Sequence, residues 1–212
     1  MIPRLVILSA PSGAGKTTIA RALEQRRSDV GYSISATTRS PRPGEQDGVD
    51  YHFLSAEEFG RRVAAGEFLE WAEYGGNRYG TLRSEVERLT GSGRHVLLDT
   101  EVQGAAQVRS RWENVLAVFI IPPSAGDLLM RLGGRKTEHQ AAVRARLELA
   151  LVELAEAPKY DFVVVNAELD HAVAAVSAII DGHPSGMPRE ALHAQVSRLR
   201  DELAAELARS TP

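Results

Sequence analysis

The chain contains no cysteine. A disulfide framework and a thiolate metal site are therefore excluded. Aromatic residues make up only 6% of it, and no apolar run approaches the roughly 18 residues that a membrane-spanning helix needs. The first residues do not read as a signal peptide, because their short apolar run leads straight into a Gly-rich loop. A dominant charge is lacking too. The 25 Lys+Arg and 28 Asp+Glu leave a net charge of −3, which argues against bulk nucleic-acid affinity. Lysine stands only at Lys16, Lys136 and Lys159, so positive charge is mostly arginine. No internal repeat or low-complexity segment stands out. What is present, 212 residues with 43% hydrophobic content, suffices for one sizeable core with small inserted subdomains. The expectation is a cytoplasmic enzyme with no nucleic-acid or membrane partner. Monomer and homo-oligomer are both compatible with the sequence.

The most informative stretch is Ala10-Pro11-Ser12-Gly13-Ala14-Gly15-Lys16-Thr17, directly after the apolar run Leu5-Val6-Ile7-Leu8. It reads as a phosphate-binding loop between a buried strand and a helix. Gly13 and Gly15 let the backbone turn tightly and aim its N–H groups at an anion. The helix opening near Lys16 adds its positive dipole end. Lys16 reaches β and γ phosphates in such loops, and the Thr17 hydroxyl sits on Mg²⁺. Ala10 stands where the first Gly of the pattern is common.

Four further apolar runs, Tyr32–Ala36, His95–Asp99, Leu116–Ile121 and Phe162–Asn166, look like buried strands. Helical patterns lie between several of them, at Thr17–Arg27, Ala125–Leu132 and Arg144–Glu156. This alternation predicts an α/β fold with a parallel sheet covered on both faces. Ligands of such sheets sit at the C-terminal strand ends, so the motifs at Ala10–Thr17, Ser35–Arg42 and Asp99–Glu101 are expected to converge. Asp99, ending an apolar run, suits the Mg²⁺ shell directly or through water.

Residues from about 37 to 90 break the alternation and read as an inserted substrate domain, with strand-like Asp50–Leu54, helix-like Ala56–Ala65 and strand-like Phe68–Tyr74. Gly133–Glu138, with arginines on both sides, looks like a lid over about 131–146. Core segments are then 1–36 and 91–182, with a linker and helical tail over 183–212. The tail carries one apolar stripe, Leu192, Val196, Leu199, Leu203 and Leu207, which fits either a helix packed back on the core or loosely attached, or a short self-association helix. Within the insert, Arg39 and Arg42 on a Pro-stiffened loop form a fork for a dianionic phosphate. Tyr51 and Tyr79 could donate hydroxyls to the same phosphate.

The string Ser35-Ala36-Thr37-Thr38-Arg39-Ser40-Pro41-Arg42-Pro43-Gly44-Glu45, with Gly48, Tyr51 and Phe53, closely resembles guanylate kinases. So do Phe68-Leu69-Glu70-Trp71-Ala72, Asn77-Arg78-Tyr79-Gly80-Thr81, Val102-Gln103-Gly104-Ala105, and Tyr160-Asp161 leading to Asn166. The matches run in family order from about residue 4 to 181, as in the bacterial members of this P-loop nucleoside monophosphate kinase family.

The resemblance implies ATP-dependent phosphorylation of GMP to GDP in purine nucleotide metabolism, with Mg²⁺, and dGMP as a further acceptor. It implies an ATP site at Ala10 to Thr18 with Asn166. It implies GMP contacts from Ser35, Arg39, Arg42, Glu45, Tyr51, Glu70, Tyr79, Thr81, Asp99 and Glu101, and lid arginines Arg131, Arg135 and Arg146 over the transferring phosphate. Catalysis then falls to Lys16, Arg39 and the lid arginines, and metal binding to Thr17 and Asp99. Guanine presents two adjacent donors, N1–H and the 2-amino group, and a fixed carboxylate such as Glu70 accepts both. Adenine would leave that carboxylate unpaired. Three positions depart from the family pattern: Glu101 where Asp is usual, Lys136 where Gly is usual, and Glu138 as the remnant of a denser acidic run. Two other readings compete: a relative that phosphorylates ribose bisphosphate, and a scaffold module that binds phosphopeptides. The first should lack the guanine-reading set and the second tends to lose the loop lysine, yet this chain keeps both.

Overall fold

The computed structural model describes residues 3–133, 140–183 and 189–209. The chain divides into two compact units, Met1–Ile7 with Leu23–Leu116, and Leu8–Ala22 with Ala117–Pro212. The division falls within the first strand, β1 (Leu5–Ser9), whose five residues are all buried.

In the first unit, β2 (Val30–Tyr32) runs parallel to β7 (His95–Asp99), with Val30 opposite His95 and Tyr32 opposite Leu97. A separate four-stranded sheet has the order β4-β3-β6-β5, built from β3 (Ser35–Thr37), β4 (His52–Phe53), β5 (Phe68–Tyr74) and β6 (Asn77–Leu82). Helix α2 (Ala56–Ala64) starts at Ser55, whose hydroxyl accepts the Glu58 N–H at 3.0 Å and so caps an otherwise orphan donor. It lays Phe59 on the sheet, where Phe59 stacks on Phe68 at 4.4 Å in a core completed by Ala36 and Leu82. Helices α3 (Arg83–Gly91) and α4 (Val102–Arg111) complete this unit.

The second unit holds the loop after β1, the start of α1 (Lys16–Arg26), and β8 (Val115–Ile121) from Ala117 onward. Strand β9 (Phe162–Val165) pairs parallel to β8, with Phe162 opposite Val118. Around them lie α5 (Ala125–Gly133), α6 (Gln140–Glu156), α7 (Leu169–Ile180) and α8 (Arg189–Arg209). The five-stranded sheet has the order β2-β7-β1-β8-β9. The α/β reading with a parallel sheet therefore holds.

Helix α8 packs against α5 and α6. Val196, Leu199 and Leu203 are buried there, and Glu202 accepts the Ala125 N–H at the start of α5 at 3.2 Å. Of the two readings of the tail stripe, packing within the fold is the one observed.

Two strand expectations need correction. Tyr32–Ala36 is not one strand: Tyr32 ends β2 and Ser35 begins β3, which belongs to the other sheet. The Ser33 N–H still donates to Leu97 at 3.0 Å, so the chain leaves the first sheet only after it. Asp50–Leu54 shortens to His52–Phe53, because Asp50 is taken up in a turn in which its N–H donates to the Gln46 carbonyl and its carboxylate accepts the Gln46 N–H at 2.8 Å. Of the presumed lid, Arg135, Lys136 and Glu138 lie outside the described residues, as do residues 184–188 of the linker. No helix among the described residues is long and apolar enough to cross a membrane.

Candidate active site

Strand alternation builds a pocket on one face of the four-stranded sheet. Successive side chains point to opposite faces, so Glu70, Ala72 and Tyr74 of β5 share one face. All three line a pocket with Tyr32, Ser35, Tyr51, Tyr79, Gly80, Asp99, Thr100 and Glu101. The pairing register explains why the base-reading candidates meet. Ser35 lies opposite Thr81 in the β3/β6 pair, and Glu70 lies opposite Thr81 in the β5/β6 pair. Ser35, Thr81 and Glu70 thus form one row across three strands, and all three are buried. The Thr81 hydroxyl donates to Glu70 Oε1 at 2.7 Å, which fixes the carboxylate at the head of the pocket.

The aromatic side of the pocket is a chain of rings. Tyr79 meets Tyr51 edge-on at 6.2 Å and Tyr74 edge-on at 6.4 Å. The Arg39 guanidinium lies 5.2 Å from the Tyr51 ring centre, within cation–π range. Both Arg39 terminal nitrogens donate to Glu45 at 2.9 Å, and the Arg42 N–H donates to the same carboxylate at 2.7 Å. Those bonds from Arg39 hold the Glu45 carboxyl below its ordinary range, against the opposing effect of burial and with help from the Arg42 amide. Arg39 is raised in turn, chiefly by its bonds to Glu45. Glu45 therefore turns to Arg39, and Arg42 is exposed. The loop is anchored at its start by the Thr37 hydroxyl, which accepts the Arg39 N–H at 3.1 Å.

The second unit holds the Gly-rich loop that the sequence reads as phosphate-binding. Gly13 and Gly15 have φ of +86° and +93°, the left-handed region that the turn requires. The Ala14 N–H donates to the Pro11 carbonyl at 3.0 Å, and α1 begins at Lys16, so the loop ends on a helix N-terminus. Thr17 and Thr18 are exposed and Lys16 is half-buried.

Four residues from elsewhere in this unit brace that loop. The buried Asn166 amide donates to the Ala14 carbonyl at 2.7 Å, and a Cβ on Gly15 would overlap its Nδ2. Arg131 donates to the Asn166 carbonyl at 3.0 Å and to the Ala14 carbonyl at 3.4 Å. From α6, Arg146 donates to the Ser12 hydroxyl at 3.1 Å, and buried Glu153 accepts the Ser12 N–H at 3.3 Å.

Sequence reasoning missed Tyr74, Ala72 and Thr100 in the pocket wall and Glu153 behind the loop. Tyr74 and Ala72 were findable from the period of two that starts at Glu70. Glu153 carried no such signal, because only the packing of α6 brings it to Ser12.

Among the described residues, no group of three or more His, Asp or Glu could hold a metal alone. The Thr17 hydroxyl and Asp99 carboxylate are oxygen donors. Each, in its own unit, is the kind of ligand that a hard cation such as Mg²⁺ takes, an ion ordinarily held by one or two carboxylates, waters and substrate phosphates rather than by a protein cage.

A family model described as guanylate kinase matches residues 2–183. The chain is 48% identical to a guanylate kinase of Anaeromyxobacter dehalogenans over 178 residues, covering 83% of this chain and 79% of that one. It is 49% identical to one of Symbiobacterium thermophilum over 176 residues, covering 83% of each. The crystal structure of guanylate kinase from Anaplasma phagocytophilum superposes with a TM-score of 0.71 at 32% identity, covering 88% of each chain.

Proposed function

The chain belongs to the guanylate kinase family, and from that premise we infer that it transfers the γ-phosphoryl group of ATP to GMP, yielding ADP and GDP. The observation that carries the acceptor is the row Ser35–Thr81–Glu70 with its 2.7 Å hydroxyl–carboxylate bond. A carboxylate held in place accepts both N1–H and the 2-amino group of guanine. Adenine offers no such pair, so its binding would take the carboxylate from water without supplying those two bonds.

Each group has a task in the transfer. Glu70 and Ser35 orient guanine, with Thr81 behind Glu70. Tyr51 and Tyr79 donate to the GMP phosphate, and Arg39 and Arg42 neutralise it. Glu45 acts through Arg39, which it holds over the Tyr51 ring, rather than on the phosphate itself. Lys16 and the loop amides from Ala10 to Thr18 hold the ATP phosphates, and Asn166 keeps that loop in shape. In the reaction an oxygen of the GMP phosphate attacks the γ-phosphorus as the bond to the ADP oxygen breaks, so no covalent enzyme intermediate is needed. Arg131 and Arg146, with Arg135, stabilise the charge spread over the equatorial oxygens. Thr17 and Asp99 would hold Mg²⁺, which supplies charge neutralisation to the triphosphate when bound.

We place residues 1–182 in one kinase domain, with a GMP-binding insert over about 37–90, a lid over about 131–146 and a tail from 183. The same reading makes dGMP a second acceptor, since the base and phosphate contacts do not involve the 2′-hydroxyl. It places the enzyme in cytoplasmic purine nucleotide metabolism. A coupled ADP-release assay across GMP, dGMP, AMP, UMP, CMP and ribose 1,5-bisphosphate, with Lys16→Ala as control, tests it. Turnover is expected with GMP and dGMP only and is lost in Lys16→Ala. Turnover with ribose bisphosphate alone, or none with any acceptor, would overturn the reading.

A further inference from the structure

Strand β5 lies at the edge of its sheet, and an edge strand leaves backbone donors and acceptors without a neighbouring strand. Helix α4 takes that place. The Gln107 side chain answers both backbone groups of Trp71: its Nε2 donates to the Trp71 carbonyl at 2.8 Å, and its Oε1 accepts the Trp71 N–H at 3.4 Å. Arg111 donates to the Leu69 carbonyl at 2.9 Å. The two anchors therefore bracket Glu70.

Gly104, Gln107 and Arg111 fall at i, i+3 and i+7, one face of α4. The Glu70 carboxylate rests on that face at Gly104. A Cβ built on Gly104 would overlap Glu70 Oε2 and lie 2.9 Å from its Cδ, with Thr100 Cβ at 3.4 Å. Gly104 is not among the residues with positive φ, so its backbone would accept any residue. What the missing side chain provides is room for the carboxylate. A methyl group there would have to push the flexible end of Glu70 aside, away from the position in which its Oε1 accepts the Thr81 hydroxyl.

We propose that Gly104 and Gln107 are positioning residues for nucleobase specificity: the α4 face they form sets the depth and orientation of the Glu70 carboxylate that reads guanine. The inference rests on the GMP reading above. A carboxylate accepting two parallel N–H bonds tolerates little displacement, because both bonds lengthen together. Adenine, which makes neither bond, loses nothing when the carboxylate moves. The α4 face therefore acts on the ratio between the two bases, not on the enzyme's overall activity.

The test compares kcat/KM for GMP and AMP, together with the ATP KM and the thermal midpoint, in the wild type, Gly104→Ala, Gln107→Ala, Glu70→Gln and the Gly104→Ala/Glu70→Gln pair. Both single α4 variants are expected to fold and to keep the ATP KM within about twofold, while the GMP:AMP ratio falls about tenfold or more. In the Glu70→Gln background, Gly104→Ala should lower the ratio no further. A wild-type ratio in a folded Gly104→Ala protein overturns the proposal, as does a full additional loss in the double variant. Should Gly104→Ala fail to fold, Gln107→Ala decides alone: the same fall supports the α4 face, and a wild-type ratio overturns it. A wild type that does not phosphorylate GMP is a different failure, that of the underlying function.

Discussion

Thr81 sits opposite Glu70 across the β5/β6 pair and donates its hydroxyl proton to Glu70 Oε1 at 2.7 Å. Both residues are buried, so the carboxylate cannot rotate freely and its orientation is set before any ligand arrives. Thr81→Val keeps the shape and removes the donor. Hydrogen bonds to charged groups contribute about 1.5–3 kcal/mol, so the GMP KM should rise by about tenfold or more. Steady-state kinetics with GMP varied at saturating ATP checks this. The ATP KM should stay unchanged.

Asn166 makes a separate prediction. Its amide braces the Ala14 carbonyl, and its own carbonyl is held by Arg131. Asn166→Ala leaves the loop without its buried brace. The Ala14 carbonyl then keeps only its longer bond from Arg131 at 3.4 Å, and losing the shorter one costs about 0.5–1.5 kcal/mol, which on the proposed reading falls on the loop conformation that takes triphosphate. The ATP dissociation constant, measured by calorimetry, should rise by up to about tenfold. GMP affinity should be unaffected.

Acid acts on the Arg39 guanidinium through Glu45. Its folded pKa is depressed, chiefly by the Arg39 hydrogen bonds. The stabilisation it contributes is therefore fully present above the ordinary glutamate value of 4.5 and is lost as pH falls through the depressed folded value. Around neutrality the pair should show no pH dependence. A carbon-detected NMR titration should place the Glu45 midpoint below 4.5 in the wild type and return it toward that value in Arg39→Ala.

The tail helix offers a stability test. Leu203 of α8 is fully buried among helices of the second unit. Leu203→Ala should destabilise the fold by about 2–5 kcal/mol, the usual cost of truncating a buried leucine. Urea unfolding followed by circular dichroism checks the magnitude. The packed α8 contacts lie within one chain, so sedimentation of Leu203→Ala should match the wild type.

Local chemistry in this chain was legible from the sequence. His95–Asp99 and Phe68–Tyr74 are strands with the expected bounds, because apolar runs and alternation are properties of neighbours along the chain. The Gly-rich turn between β1 and α1 was legible for the same reason. The break between Tyr32 and Ser35 was not: five residues of strand-like composition span two sheets, and nothing in their composition marks the change. Strand β6 went unassigned although Gly75-Gly76 between Tyr74 and Asn77 is a two-residue hairpin signal. At the site, residue types pointed to candidate groups but not to their supports. Asn166 as a brace for Ala14 and Gly104 as space for Glu70 depend on contacts between distant parts of the chain, and Glu45 as the partner of Arg39, six residues on, depends on how the loop between them turns.

The central claim is that Glu70, held by Thr81 and seated on Gly104, chooses the purine. It is tested most directly by the ratio of kcat/KM for GMP to that for AMP in the wild type and in Glu70→Gln, with the ATP dissociation constant measured alongside. The ratio should collapse by about a hundredfold or more in the variant while ATP binding stays within about twofold. A ratio that survives Glu70→Gln, or an equal loss of GMP use and ATP binding, would contradict it.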